Sequence, residues 1–124
     1  MASASVFLKM SKDKWVLEGE HFFVIRDNFP VSPGHSLIIT KQIRIDFFHL
    51  TWDERKELSD MIEKTKENIE TEHNPDGYNI GMNCGDSAGQ TVLHFHCHVI
   101  PRYKGDMENP RGGVRHCIPS KGNY

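Results

Sequence analysis

Cysteine is scarce in this chain of 124 residues. Cys84, Cys97 and Cys117 are three in number and show no Cys-x-x-Cys spacing, so no disulfide framework is written into the sequence. Reduced thiols in a cytoplasmic protein fit that pattern. No apolar run approaches the roughly 18 residues a membrane span needs, and no signal-peptide core is present. A soluble, unexported protein without a membrane partner is therefore expected. Neither sign of charge dominates: 15 basic residues face 17 acidic ones, a net of −2. Wholesale binding to a nucleic-acid polymer or an acidic membrane is not indicated. Internal repeats, low-complexity tracts, an HExxH motif and paired carboxylates are also missing. The length suits one domain, residues 1–124, with one core.

What is present reads as strands, then a helix, then more strands. Trp15 to Glu18 and Phe22 to Arg26 flank Gly19-Glu20 and predict a hairpin. Asp27 to Gly34, with two prolines, an Asp-Asn pair and a glycine, predicts a loop. Ser36 to Thr40 is an apolar strand. Thr51 and Glu54 have capping-box spacing, and Leu58, Met61, Ile62, Thr65 and Ile69 form an amphipathic stripe. The helix should run to about Glu72. Tyr78 to Asn83 alternates as a strand, and Cys84 to Thr91 is a small-residue loop. Val6, Phe7, Leu8 and Met10 predict a short docking strand or turn. The core should span about 15–105, with 106–124 an irregular tail. The class is α+β, an antiparallel sheet of about five strands with one main helix packed on it.

The chemistry concentrates in His94-Phe95-His96-Cys97-His98-Val99-Ile100-Pro101. Period-two alternation is the signature of a strand, so His94, His96 and His98 should share one face, each about 6.5–7 Å from the next. Phe95, Cys97 and Val99 should face the core, and the strand should end at Pro101 or lie at an edge. Three imidazoles in a row make poor core, because each brings two nitrogens that need partners when buried. Alternate histidines can bind zinc, but the motif holds no carboxylate. Imidazole can also serve as nucleophile and acid–base. The loop before the row favours the second use. Gly85, Ser87, Ala88 and Gly89 allow backbone amides to approach an anion, and Gln90 and Thr91 add neutral donors. A plain hairpin turn is the simpler reading of the same loop.

The histidine row resembles the signature of the histidine triad (HIT) family. Ala88-Gly89-Gln90-Thr91-Val92 matches the loop before that triad, and Pro33-Gly34-His35 matches a second block. Asp76 to Asn83 looks like a third. Pro101 to Asp106 and Pro110 to Arg115 resemble the tail of the bacterial HIT hydrolase branch, which acts on diadenosine polyphosphates. The resemblance runs from about Trp15 to Tyr124.

It implies a hydrolase or transferase cleaving at the α-phosphate of AMP-linked substrates, such as dinucleoside polyphosphates, through a covalent nucleotidyl-histidine. A purine nucleoside phosphoramidase and a non-enzymatic nucleotide sensor are the alternatives it leaves. The implied nucleophile is His96. His94 and His98 orient it and contact phosphate or the leaving oxygen, and His35 joins their hydrogen-bond network. Asp27, eight positions before His35, is implied to bind ribose. Asn83, Gly89, Gln90 and Thr91 are implied to contact phosphate. The family resemblance also implies a homodimer and no cofactor. Many relatives carry an N-terminal Cys-x-x-Cys that helps hold a structural zinc. Met1 to Lys14 contain no cysteine, so no such metal site is expected.

Overall fold

The computed structural model describes residues 5–124; the first four residues of the expected domain lie outside that range. Five strands, β1 (Leu17–Glu18), β2 (Phe22–Arg26), β3 (Ser36–Thr40), β4 (Gly77–Gly81) and β5 (His96–Arg102), form one sheet in the order β1-β2-β3-β5-β4. Every pairing is antiparallel. Helix α1 (Trp52–Ile69) packs on one face, so the expected α+β architecture is the observed one.

The sheet has apolar clusters on both sides. Phe22, Val24, Ile38, Cys97 and Val99 meet Leu58, Met61 and Ile69 of α1. On the opposite face Phe23, Ile25, Leu37 and Ile39 lie under Phe7, with Met10 and Trp15 against them. Strands covered on both faces read as continuous apolar runs, which is how β2 and β3 read. β5 alternates instead: Cys97 and Val99 are buried, while His96, His98 and Ile100 are half-buried.

Helix α1 starts where the sequence places it. Thr51 Oγ1 accepts from the Glu54 amide at 3.1 Å, and Glu54 Oε1 accepts from the Thr51 amide at 2.8 Å. That reciprocal pair occupies two amide donors the first turn would otherwise leave open. Glu54 is also fully buried and takes the Arg44 Nε hydrogen at 3.0 Å. Arg44 in turn accepts the Phe95 amide on its carbonyl at 2.6 Å. The helix cap and the entry to the histidine strand thus meet at one residue.

Four expected boundaries move, each for a local reason. The helix ends at Ile69, short of Glu72, because Thr71 and Glu72 bond three residues back and the Thr71 hydroxyl takes the Asn68 carbonyl. The first strand keeps only Leu17–Glu18, since Trp15 follows a 3-10 turn and stacks on Phe23 at 4.3 Å. β4 closes at Gly81 rather than Asn83: the last pair of its ladder is Gly81 with His98, and the chain turns out of the sheet before it reaches Cys97 and His96. β5 runs through Pro101 to Arg102. The Pro101 carbonyl takes the Ser32 hydroxyl on the β3 side, and the missing N–H falls on that same side, beyond the end of the β3 ladder. The tail from Asp106 is irregular as expected, with 3-10 turns at Gly113–Cys117 and Pro119–Lys121. Among the described residues, no helix is long and apolar enough to cross a membrane.

The Glu54 carboxylate joins cap, loop and strand entry. Glu54→Ala should therefore cost roughly 1.5–3 kcal/mol, the worth of charged hydrogen bonds lost from a buried site. Thr51→Ala should cost about 1 kcal/mol, a cap alone. Urea midpoints of the two variants should fall in that order, and the reverse order would refute this account of the cap.

Candidate active site

The three histidines do not stand in one row. His96 and His98 lie on β5, with ring centroids 5.4 Å apart. His94 precedes the strand and is fully buried. Its Nε2 donates to the Thr40 carbonyl at 2.7 Å, and its Nδ1 takes the Ser5 hydroxyl at 2.7 Å. Both nitrogens are occupied, so the His94 side chain has nothing left to offer a phosphate. This corrects the phosphate contact expected of it. The His94 backbone carbonyl does the orienting: it accepts from His96 Nδ1 at 2.8 Å. A carbonyl cannot donate, so His96 carries its proton on Nδ1 and keeps a free lone pair on Nε2.

His98 is fixed the opposite way. The Val31 amide donates to His35 Nδ1 at 3.1 Å, so His35 bears its proton on Nε2. That Nε2–H faces His98 Nδ1 at 2.9 Å. His98 therefore accepts on Nδ1 and holds its own proton on Nε2. A bare lone pair on His96 thus neighbours an N–H on His98. Burial pushes the His98 pKa down to about 4, with His96 and His35 adding to the effect. Burial likewise lowers His35 and His94.

The fold also brings in the carboxylate that the motif lacks. Asp27 Oδ2 lies 3.4 Å from His35 Nε2, and Asp27 Oδ1 accepts the Phe29 amide at 2.8 Å. Asp27 is thus a turn residue whose second carboxylate oxygen faces His35. Ligating atoms of Asp27, His35 and His98 all lie within 4.8 Å of one another, a metal-like clasp. The proton positions oppose that use. A metal on His35 Nε2 would force hydrogen onto Nδ1, head-on to the Val31 N–H. By its hydrogen bonds the cluster is a chain of oriented imidazoles, from the Val31 amide to His35 and from His35 to His98.

Gly34 makes the turn that delivers His35: its φ is +91°, and an added Cβ would sit 3.0 Å from Ile69 and His73. In the loop before β5, Gly89 has φ +89° and an amide turned inward to the Asp86 carbonyl at 2.9 Å. The Gln90 carboxamide is fully engaged too. Its oxygen accepts the Gly85 amide, and its nitrogen donates to the Ile45 and Val92 carbonyls. Gln90 is a brace for the loop rather than a free phosphate donor, and the Gly89 amide does not point outward. Thr91 and Asn83 are exposed, and the Asn83 amide approaches Gly89 to 4.0 Å of an added Cβ. Asn83, Gly89 and His98 line one cleft of about 740 Å³. Cys97 is buried on the helix side, where burial raises its thiol pKa to about 12, so it is not a nucleophile.

Sequence reasoning missed the clamps. Ser5 and Thr40 grip His94, Val31 sets the His35 tautomer, and Phe7 packs edge-on against His94 and His96 at 5.7 and 5.0 Å. The apolar Val6-Phe7-Leu8 stretch was the signal that a docking turn lay there. Nothing in it indicated the triad as the dock.

An antiparallel five-stranded sheet with these histidines behind a glycine loop defines the histidine-triad class of α+β proteins. The chain belongs to the HIT family: the family model described as HIT domain matches residues 9–105. It is 40% identical over 97 residues to an uncharacterised HIT-like protein of Methanocaldococcus jannaschii, covering 77% of this chain and 73% of that one. A bis(5'-adenosyl)-triphosphatase of Dictyostelium discoideum is 36% identical over 102 residues, 77% of this chain and 68% of its own. A HIT family protein of Bacillus anthracis superposes with TM-score 0.77 at 36% identity, covering 86% of this chain and 78% of that one. Against the HIT-like protein of Mycoplasma genitalium, the match spans 62% of the relative's length.

The depressed histidines make stability depend on pH. Their folded pKa values lie below the ordinary value near 6.5, so the unfolded chain binds protons first as pH falls. Their contribution is intact above about pH 6.5 and drains away towards about pH 4, where folded His98 also protonates. Thermal midpoints should fall through that window, and His98→Gln should fall less steeply. Identical slopes for the two proteins would contradict the buried, neutral His98.

Proposed function

We propose that this protein is a nucleotidyl hydrolase that cleaves at the α-phosphate of AMP joined to a leaving group, by a phosphoric anhydride or phosphoramidate bond. The observation that carries this reading is the 2.8 Å bond from His96 Nδ1–H to the His94 carbonyl. It leaves Nε2 as an unprotonated nucleophile beside the His98 donor. Nε2 attacks the phosphorus, a nitrogen–phosphorus bond forms, and the bond to the leaving group breaks. The Nε2–H of His98 meets the charge growing on the leaving atom, and an amine departs with that proton. Water then attacks phosphorus, frees His96 and returns a proton to His98, releasing AMP. Asp27 Oδ2 takes the ribose hydroxyls. The names of related proteins, such as the Dictyostelium bis(5'-adenosyl)-triphosphatase, support the substrate class.

His96→Ala should lower kcat by orders of magnitude with binding nearly intact. Acid-quenched mass spectrometry should find an AMP adduct on the peptide holding His96 and none in that variant. An adduct on Cys84 or on another histidine would assign the nucleophile elsewhere. Asp27→Ala should lower kcat/KM for ribonucleotides by roughly 1.5–3 kcal/mol of charged hydrogen bonding. Much smaller losses should appear on 2′,3′-dideoxy analogues, and equal losses would leave Asp27 as a turn residue alone.

The proposal extends to a cytoplasmic homodimer. The free thiols Cys84, Cys97 and Cys117 support a reducing compartment. β4 is an edge strand with Ile80 exposed, a surface that a second copy can cover. Light scattering should report twice the 14.3 kDa chain mass at micromolar concentration, and the single-chain mass would refute the dimer.

A further inference from the structure

The loop from Asp27 to Gly34 sets the proton on His35, yet its tip rests on little. Pro30 and Pro33 have no N–H to give to a neighbour. Phe29 and Val31 are 87% and 71% exposed, so their side chains anchor nothing. The backbone bonds close the loop on itself: the Asp27 amide donates to the His35 carbonyl at 2.9 Å, and the His35 amide donates to the Ser32 carbonyl at 3.1 Å. The Val31 amide, at 3.1 Å from His35 Nδ1, is the part on which the site depends.

Two hydroxyls tie this tip to the sheet, and both ties lead to the end of β5. Ser32 donates to the Pro101 carbonyl at 2.6 Å, and Tyr103 donates to the Pro33 carbonyl at 2.6 Å. Residues 32 and 33 follow Val31 directly, so the ties grip the chain beside the amide that counts. The register explains how they reach. Ser36 pairs with Val99, so beyond that pair β5 runs on alongside the loop. Burial, with Asp76 nearby, raises the Tyr103 pKa, and the phenol stays a donor.

Consider the pair of rings without the Val31 amide. The proton of His35 is then free to sit on Nδ1. His35 Nε2 becomes an acceptor, and His98 donates to it from Nδ1 across the same 2.9 Å contact. In that arrangement His98 Nε2 carries a lone pair and has nothing to give a leaving atom. Asp27 Oδ2, 3.4 Å from His35 Nε2, is too distant to hold the proton there by itself.

We propose that Tyr103 and Ser32 are positioning residues for the proton donor: by tying the loop to β5 they keep the Val31 amide on His35, and thereby keep the proton of His98 on Nε2. This rests on the assignment of His98 as donor to the leaving atom. The consequence is selective for the leaving group. When the phosphorus–nitrogen bond of a phosphoramidate breaks, its electron pair stays on nitrogen, which takes the His98 proton and departs as an amine. When the phosphorus–oxygen bond of a p-nitrophenyl ester breaks, the pair departs on p-nitrophenolate, which is stable without a proton.

Heteronuclear NMR of the imidazole nitrogens reads the proton positions in ligand-free protein, apart from any activity. The wild type should show His35 and His98 protonated on Nε2. Tyr103→Phe and Ser32→Ala should each show protons divided between the two nitrogens of both rings. In the same variants kcat/KM for an N-alkyl amide of AMP should fall roughly tenfold or more, part of the roughly 10²–10⁴-fold a positioned proton donor contributes, while the p-nitrophenyl ester of AMP should stay within about twofold. Tyr78→Phe removes a phenol that bonds Glu70 at 2.8 Å, and it should move neither the protons nor the amide-to-ester ratio. Equal losses on amide and ester, or proton positions unchanged in both tie variants, would overturn the proposal. Divided protons in those variants, beside a wild type that cleaves neither compound, would keep the ties and refute the hydrolase reading.

Discussion

The site depends on one buried imidazole that never needs to touch a ligand. His94 is out of reach of water, and a buried ring with an unmet nitrogen would cost about 1–3 kcal/mol. The fold meets both nitrogens, one from the end of β3 and one from the N-terminal turn. With its ring pinned, its carbonyl is pinned as well, and that carbonyl sets the proton position on His96. A second chain of the same kind begins at the Val31 amide and ends at His98 Nε2. Two rings of identical chemistry are thereby given opposite roles by what their far nitrogens meet. Neutrality is part of the design: burial keeps His98 and His35 uncharged, so each has one donor and one acceptor nitrogen.

The sheet separates two tasks. The face under α1 is filled with aliphatic and aromatic side chains and contributes the bulk of the packing. The other face carries His96 and His98 together with a smaller apolar cluster sealed by Phe7. β5 belongs to both faces through its alternation, which is why Cys97 can sit between two site histidines and remain inert.

Much of this was legible because the signals were local. The alternation of β5, the Thr51–Glu54 box and the stripe on α1 each lie within one element, and each appears in place. The order of motifs gave the family. What was not legible depended on partners far along the chain. Periodicity placed His94 on the strand, but the Phe95 amide is drawn to Arg44 instead, and the chain leaves the ladder there. Gln90 read as a donor to solvent-borne phosphate because one of its partners, the carbonyl of Ile45, lies 45 residues away. The tail read as irregular, which it is, yet irregular backbone can still wall a cleft. Proton positions were beyond sequence altogether, since they follow from which atom faces which.

The meeting of the helix cap and the strand entry at Arg44 couples stability to the aim of the site. Its side chain answers to Glu54 on the helix, and its carbonyl answers to Phe95 beside the triad. A drift at position 54 that loosens the first turn of α1 also loosens the segment that aims His94 and His96. Changes on the solvent face of α1 do not reach that segment, whereas a change at 44 or 54 does, because one side chain there answers to the fold and to the site at once.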